Sequence, residues 1–333
     1  MKEIIKEKLE ACNVCPRNCI VDRANGKIGY CKCNDKVKVA LVSTHDFEEP
    51  CISKSNGSGT IFFSNCNLNC MFCQNYEISQ LGKGREITID RLAEIFVEQQ
   101  RRGVNNINLV TPTMYAYQII EAIKIARNKG LNIPVIYNSN GYESVQTIKD
   151  LNGYKDVYLP DFKYYSDEIA IKYSKAPHYK EIASEAIKEM YNQVGPAQFD
   201  ENGIIKKGVI IRHLILPNHV QNSKNILKWI KEEKAKTKIV DKIGIGKSRE
   251  SLAIELICSA DQIQNEQERK LYEMLYEASE DGVLEKNELK KWCRKRYSRI
   301  LKWFDDVIRT EKNRMFEEKL LLKTDEKTVL HTM

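Results

Sequence analysis

From residue 60 onward, short apolar runs alternate with amphipathic stretches along the chain. The runs Thr60–Phe63, Ile107–Val110, Pro134–Tyr137, Val157–Leu159 and Val209–Leu216 have the length and texture of strands. Between them, helical spacing predicts helices near residues 88–102, 116–129, 144–151, 181–193 and 221–233. In the first, Ile89, Leu92, Ile95, Phe96 and Gln99 recur at that spacing, and Thr88 is placed to cap the helix start. In the second, Ile119, Ile120, Ile123 and Ile125 crowd one side, and Gly130 stands where a terminating residue belongs. Repeated strand–helix alternation predicts a mainly parallel sheet with crossover helices, because parallel neighbours cannot be joined by a tight turn. Functional groups are then expected at the carboxyl ends of the strands.

The texture differs at both ends. Residues 1–55 are rich in cysteine and poor in long periodic segments, which predicts a small metal-stapled N-terminal segment ahead of a core over 56–233. Residues 234–333 read as a linker and a helical C-terminal region. The linker is polar and glycine-containing, with Lys238–Ile243 as one weak further strand. Leu271, Leu275, Tyr276, Leu289, Trp292, Ile300, Phe304, Val307 and Ile308 mark the helices. Glu277–Glu288 superficially resembles a calcium-binding loop, with Gly282, Leu284 and Glu288 in place. Glu277 and Ser279 stand where that loop wants Asp and Asp or Asn, so a helix–turn–helix with a basic face is the preferred reading.

Composition narrows the class. The 333 residues are 42% hydrophobic and 30% charged, which fits a soluble globular chain. No apolar run is long enough to span a membrane. The opening MKEIIKEKLE lacks the apolar centre of a signal peptide, so the expected address is the cytoplasm. The net charge of +7 is modest, although Leu289–Arg314 holds ten Lys or Arg against three Asp or Glu. That is a weak pointer to an acidic partner, and nucleic acid is not an expected one. The eleven cysteines are clustered: five between Cys12 and Cys33, then Cys51, Cys66, Cys70 and Cys73, then Cys258 and Cys293. Without a secretory signal, such spacing favours metal ligation over disulfides.

The strongest signal is SNCNLNCMFCQN, residues 64–75, directly after the first strand. Cys66, Cys70 and Cys73 have the spacing C-x3-C-x2-C. Three thiolates on one loop can each reach one iron of a 4Fe–4S cubane, leaving the fourth iron without a protein ligand. A purely electron-transferring cluster normally has four cysteines, so an open iron is of use where a substrate or cofactor must bind the metal. A zinc site would want a fourth ligand, and the loop offers neither histidine nor another cysteine.

This loop and its surroundings resemble the radical S-adenosylmethionine superfamily, and within it enzymes similar to pyruvate formate-lyase activating enzyme. The resemblance covers roughly residues 8–230. It rests on CNVCPRNC (12–19), EEPCIS (48–53), GSGTIFFSNCNLNCMFCQNYEIS (57–79), LVTPTMY (109–115), YNSNGYE (137–143), LPDFKY (159–164) and RHLILPNH (212–219), with Phe72 just before the third cysteine. It implies an α/β fold, a partial (β/α)6-type radical SAM barrel, to which this chain adds the Cys-rich N-terminal extension and, as read from its own residues, a helical C-terminal domain in which it departs from the family. It further implies that S-adenosylmethionine chelates the open iron and is cleaved reductively, giving a 5′-deoxyadenosyl radical that abstracts hydrogen. The implied role is an oxidoreductase of the activating-enzyme kind, acting on a glycyl-radical partner protein and fed by flavodoxin or ferredoxin. Radical modification of a small molecule, or a non-catalytic metal-binding interaction protein, are the alternatives. Relatives continue into a sixth strand and a closing helix, and no convincing copy of either follows here. The implied barrel is short and laterally open, which suits a macromolecular substrate.

The other strand ends supply further candidates. Thr111 and Thr113 stand where many relatives carry a glycine-rich segment that meets the amino group of S-adenosylmethionine. Asn138, Ser139 and Asn140 suit hydrogen bonding to a ribose, and with Gly141 they equally make an ordinary turn. Lys163 or Arg212 suits the methionyl carboxylate, while an Asp161–Lys163 or Asp161–Arg212 ion pair is the structural alternative. Arg212 and His213 alternate on a strand and so face opposite ways, one of them outside the barrel. In the N-terminal segment Cys12, Cys15, Cys19 and Cys31, with Cys33, offer a second metal site for zinc or a second iron–sulfur cluster, Gly26 and Gly29 supplying the turn. Structural thiols in a reducing compartment are the alternative, and Cys51 belongs to this group or to none.

Overall fold

The computed structural model of the chain describes residues 3–216, 219–237, 242–247, 252–257, 321–324 and 327–330. They fall into two compact units, Met1–Arg212 and His213–Met333. The first unit begins with helix α1 (Glu3–Glu10) and strands β1 (Val37–His45) and β2 (Ser58–Phe63). It continues with α2 (Tyr76–Ser79), β3 (Arg85–Ile87), α3 (Ile89–Arg101), β4 (Ile107–Val110), α4 (Ala116–Asn128), β5 (Val135–Ser139), α5 (Val145–Asp150) and β6 (Val157–Pro160). It ends with α6 (Asp167–Ser174), α7 (Tyr179–Val194), β7 (Gln198–Phe199), β8 (Ile205–Val209) and the start of β9 (Ile211–Leu214).

One sheet organises this unit, in the order β3-β1-β2-β4-β5-β6-β8-β7. Strands β2, β4, β5, β6 and β8 pair in parallel, with antiparallel strands on both flanks. The sheet is not closed, so the architecture is an α/β partial barrel. Strand periodicity divides its residues between two faces. Ile61, Phe63, Ile107, Leu109 and Val135 pack with Leu92 and Phe96 of α3 and Ile119 and Ile123 of α4 in one buried cluster. Each such side chain contributes about 1.5–3 kcal/mol on leaving water. The opposite face carries Thr60, Asn108 and Asn138, aligned by the parallel register, and ends in the paired Asp161 and Arg212.

The five predicted strands and five predicted helices are all present, with shifted ends. Thr88 caps α3 by accepting from the Arg91 amide at 3.1 Å, and Gly130 follows α4 in a left-handed conformation, φ 93°. Residues 205–214 form two strands, β8 and β9, rather than one. Strands β1 and β3 were not expected. β1 comes from the cysteine-rich stretch and pairs antiparallel with β2, a strand whose polar interruptions hide its period.

In the second unit, α8 (Val220–Thr237) extends into the stretch expected to be linker. Beyond it strands stand in place of the expected helix at residues 252–257, 321–324 and 327–330, while residues 242–247 form a strand in the stretch expected as linker with one weak strand. β10 (Lys242–Lys247) and β11 (Leu252–Ile257) form an antiparallel pair, as do β12 (Leu321–Thr324) and β13 (Lys327–Leu330). Ile243 and Ile245, then Leu252, Ile254 and Leu256, alternate with period two, a pattern that favours strand over helix. The calcium-like loop, the helices marked by Leu271 to Ile308, and Cys258 and Cys293 lie outside the described residues. His213, on the alternate face from Arg212, is buried and pairs its Nε2 with Ser223 Oγ at 2.8 Å. Among the described residues no helix is long and apolar enough to cross a membrane.

Gly141 ties the turn after β5 to the strand end beside it. Its φ is 77°, and a Cβ there would sit 2.1 Å from the Asp161 carbonyl oxygen. Gly153 has a similar φ of 80° but open space around it. Gly141→Ala is therefore expected to lose about 3 kcal/mol or more of stability and Gly153→Ala about 1 kcal/mol, as read by denaturant unfolding.

Candidate functional site

Strand β2 delivers the chain to the carboxyl edge of the sheet, where Asn65 turns it in a left-handed conformation, φ 71°, into the loop of Cys66, Cys70 and Cys73. Hydrogen-bond partners meet all three sulfurs. Cys66 Sγ accepts from the Leu68 amide at 3.3 Å and from Asn140 Nδ2 at 3.3 Å. Cys70 Sγ accepts from Ser174 Oγ at 2.9 Å, and Cys73 Sγ shares a hydrogen with Ser79 Oγ at 3.1 Å. The loop is held from three directions. Asn67 donates to the Tyr142 carbonyl at 2.7 Å and accepts from Asn140 at 2.7 Å, Arg17 Nε donates to the Asn67 carbonyl at 2.8 Å, and the Met71 amide donates to Tyr173 at 2.9 Å. Burial pushes the Cys66 thiol up to about 12, and the neighbouring Cys70 and Cys73 add to it. Burial also raises Cys70, opposed by the positive charge of Lys163. Three cysteines on one loop, each sulfur with a hydrogen-bond partner, fit a metal cluster that would take them as thiolates.

Beside the loop, the ends of β5, β6 and β9 form an ionic group. Asp161 pairs with Lys163 through one oxygen and with Arg212 Nε at 3.1 Å through the other. Arg212 also donates to Asn138 Oδ1 and lies 3.6 Å from Glu49, a buried carboxylate that the sequence reading had not singled out. Burial opposes charge on Asp161, but Lys163 and Arg212 hold its carboxyl below the usual range; Asp161 and Cys70 likewise hold Lys163 above its own, against burial. Lys163 and Arg212 keep 13% and 22% of their side chains exposed, so both stay accessible to a ligand.

The remaining candidates divide. Thr111 takes φ 58°, an unusual conformation for a β-branched residue, with its amide bonded to the Asn138 carbonyl at 2.9 Å. Asn140 is committed to the cysteine loop. Thr113 and Ser139 turn toward Glu143: Thr113 Oγ1 donates to one oxygen at 2.6 Å, Tyr137 OH to the other at 3.3 Å, and Ser139 also bonds it. Burial raises the Glu143 carboxyl to about 7. Cys12, Cys15, Cys31 and Cys33 are buried, whereas Cys19 is half-buried. Sequence reasoning missed Asn67, Ser79, Ser174 and Glu143 as supports. Ser174 ends a helix about a hundred residues from the cysteine it meets, and no local pattern marks it.

Residues 60–230 match the Radical SAM superfamily, more than half of the chain and all of the cysteine loop. The chain belongs to that superfamily. Among curated proteins this radical SAM chain is 34% identical over 230 residues to the uncharacterized protein MJ0674 of Methanocaldococcus jannaschii, covering 66% of the chain and 60% of the relative. It is 25% identical over 157 residues to MJ0808 of the same organism, covering 42% of the chain and 46% of the relative. The chain thus spans about half to three fifths of the length of these curated relatives. A solved structure of TYW1 with a lysine–pyruvate adduct bound is similar over 59% of this chain and 79% of its own, at 14% identity and a TM-score of 0.33. The cofactors of the superfamily, a 4Fe–4S cluster and S-adenosylmethionine, agree with the three-sulfur loop and the adjacent cations.

Glu143 gives the site a pH signature. Its folded value of about 7 lies above the ordinary 4.5. The folded state therefore binds the extra proton between those values, and stability falls as pH rises from 4.5 to 7 before levelling off. Glu143→Gln is expected to remove that slope, worth up to about 3 kcal/mol, in unfolding curves measured across the range.

Proposed function

We propose that this radical SAM chain holds a 4Fe–4S cluster through Cys66, Cys70 and Cys73, cleaves S-adenosylmethionine there, and passes the radical to a partner protein as an activating enzyme does. The observation that carries the reading is the three-thiol loop, with a hydrogen-bond partner at each sulfur, set beside Lys163 and Arg212. When bound, the cluster and S-adenosylmethionine supply one-electron cleavage of a sulfonium carbon–sulfur bond and a carbon radical that abstracts hydrogen.

The chain's own residues do the positioning. Arg212 offers a fork for the methionyl carboxylate while Asp161 fixes its orientation, and Lys163 places a second positive charge near Cys70. Asn138 steadies Arg212 from the neighbouring strand, and the strained Thr111 sets the backbone of the next strand end. Support for a protein partner comes from the rim. Met71, Tyr76 and Leu81, on and just after the loop, are 72%, 52% and 59% exposed, an apolar surface of the kind that docks another protein. A glycyl-radical enzyme as the substrate and a flavodoxin or ferredoxin as the electron donor fit that chemistry.

After anaerobic reconstitution with dithionite and S-adenosylmethionine, the wild type is expected to form 5′-deoxyadenosine and Cys70→Ala to form none above background. No product from a wild type with a verified 4Fe–4S cluster would sink the reading. Arg212→Lys is expected to raise the KM for S-adenosylmethionine roughly tenfold or more, the cost of one charge-assisted bond. Met71→Asp with Leu81→Asp should leave partner-free cleavage intact and lower the glycyl-radical signal formed on the partner, read by electron paramagnetic resonance.

A further inference from the structure

The N-terminal segment delivers one positively charged side chain to the cysteine loop. Its own backbone is pinned first. The Cys12 amide donates to the Val21 carbonyl at 3.0 Å, the Ile20 amide to the Cys12 carbonyl at 3.0 Å, and Thr147 Oγ1 to the Val14 carbonyl at 2.8 Å. Between those ties the chain turns over Pro16 and Arg17, where the Asn18 amide closes on the Cys15 carbonyl at 3.0 Å. From that turn Arg17 reaches across to the loop that begins at Cys66.

Arg17 is held on three sides. Its guanidinium carbon lies 3.8 Å from the centre of the Tyr30 ring and 5.2 Å from that of Tyr142, and its Nε donates to the Asn67 carbonyl at 2.8 Å. The Tyr142 carbonyl in turn accepts from Asn67 Nδ2 at 2.7 Å, so one residue steadies both the cation and the loop. None of these partners is a carboxylate, and among the described residues the Nη2 of Arg17 is buried with no hydrogen-bond partner. Its charge acts on the loop rather than on an ion-pair partner.

The carbonyl that Arg17 grips belongs to the peptide unit between Asn67 and Leu68. The amide of that same unit donates to Cys66 Sγ at 3.3 Å. A donor at the carbonyl end of a peptide polarises its N–H end, and hydrogen bonds in such a chain strengthen one another. Asn67, Leu68 and Tyr142 are at most 2% exposed, so little water screens the line from cation to sulfur. In an iron–sulfur cluster, an added electron puts negative charge on the sulfurs, and hydrogen bonds to them and nearby positive charge favour that state. We propose that Arg17 is a positioning residue for the cluster: through the Asn67–Leu68 peptide it stabilises the reduced state and raises the reduction potential. The N-terminal segment then has a task at the active centre that requires no metal of its own. The inference rests on the proposed cluster at Cys66, Cys70 and Cys73, but not on a partner protein or on turnover of S-adenosylmethionine.

The test is a dye-mediated potentiometric titration of the reconstituted full chain without S-adenosylmethionine, following the electron paramagnetic resonance signal that Cys70→Ala lacks. At a fixed potential, Arg17→Gln is expected to lower the ratio of reduced to oxidised cluster about tenfold, the scale of one charge-assisted hydrogen bond. For a one-electron couple that is a midpoint about 59 mV more negative. Arg17→Lys restores the charge and is expected to stay within about threefold of the wild type. A merely structural role would lower the iron content and leave the potential of the loaded fraction unmoved. A wild type that holds no 4Fe–4S cluster overturns this inference together with the proposed function. A loaded Arg17→Gln at the wild-type potential overturns the role of Arg17 alone, as does a loaded Arg17→Lys displaced as far as Arg17→Gln. Should Arg17→Gln hold no iron, Arg17→Lys decides: a ratio within about threefold of the wild type supports the proposal, and a fall of about tenfold overturns it.

Discussion

Parallel pairing is the constraint on which the rest of this structure depends. Strands β2, β4, β5, β6 and β8 run the same way, so each must be left by a crossover and every departure lies at one edge of the sheet. Cysteines after β2, asparagines after β5, an aspartate after β6 and an arginine on β9 are brought together only because of that rule. Side-chain period two then sends Asn138, Asp161 and Arg212 to the same face, while the apolar partners of α3 and α4 take the other.

Once gathered there, polar groups have to satisfy one another. Asn140 illustrates the economy of the arrangement: its side-chain Nδ2 donates to both Cys66 and Asn67, and its Oδ1 accepts from the Tyr142 amide at 2.9 Å. The residue thus spans the turn after β5 and the loop after β2. Asp161 does the same with charge, dividing its two oxygens between Lys163 and Arg212. These bonds pre-set the geometry before any ligand arrives, which lowers the ordering cost of binding.

Much of this was legible in the chain itself. The alternation predicted the parallel core, Thr88 and Gly130 marked helix ends correctly, and the C-x3-C-x2-C spacing pointed to the loop that the superfamily match contains. What stayed hidden is long-range. Ser174 and Asn67 are short polar residues in unremarkable surroundings, and their meaning comes from neighbours distant in sequence. Thr113 and Ser139 looked like ligand groups because they stand at strand ends, yet a buried carboxylate takes their hydrogen bonds. Lys163 and Arg212 were poised between holding a carboxylate ligand and pairing with Asp161; both ion pairs exist, and they orient the cations without burying them completely. At the C-terminal side, the period of two in Ile243, Ile245, Leu252, Ile254 and Leu256 was legible only in part: Lys238–Ile243 was read as a weak strand, while its partner Leu252–Ile257 lay in the stretch expected to be helical.

The close approach at Gly141 has a consequence for how such a protein can diversify. With a backbone carbonyl 2.1 Å from where any Cβ would lie, the wall between the third and fourth parallel strands has no slack for a new side chain. New side chains have room elsewhere, at exposed positions such as Met71 and Leu81. A backbone-to-backbone seam of this kind constrains the sequence at one position while leaving the exposed positions around it free to drift.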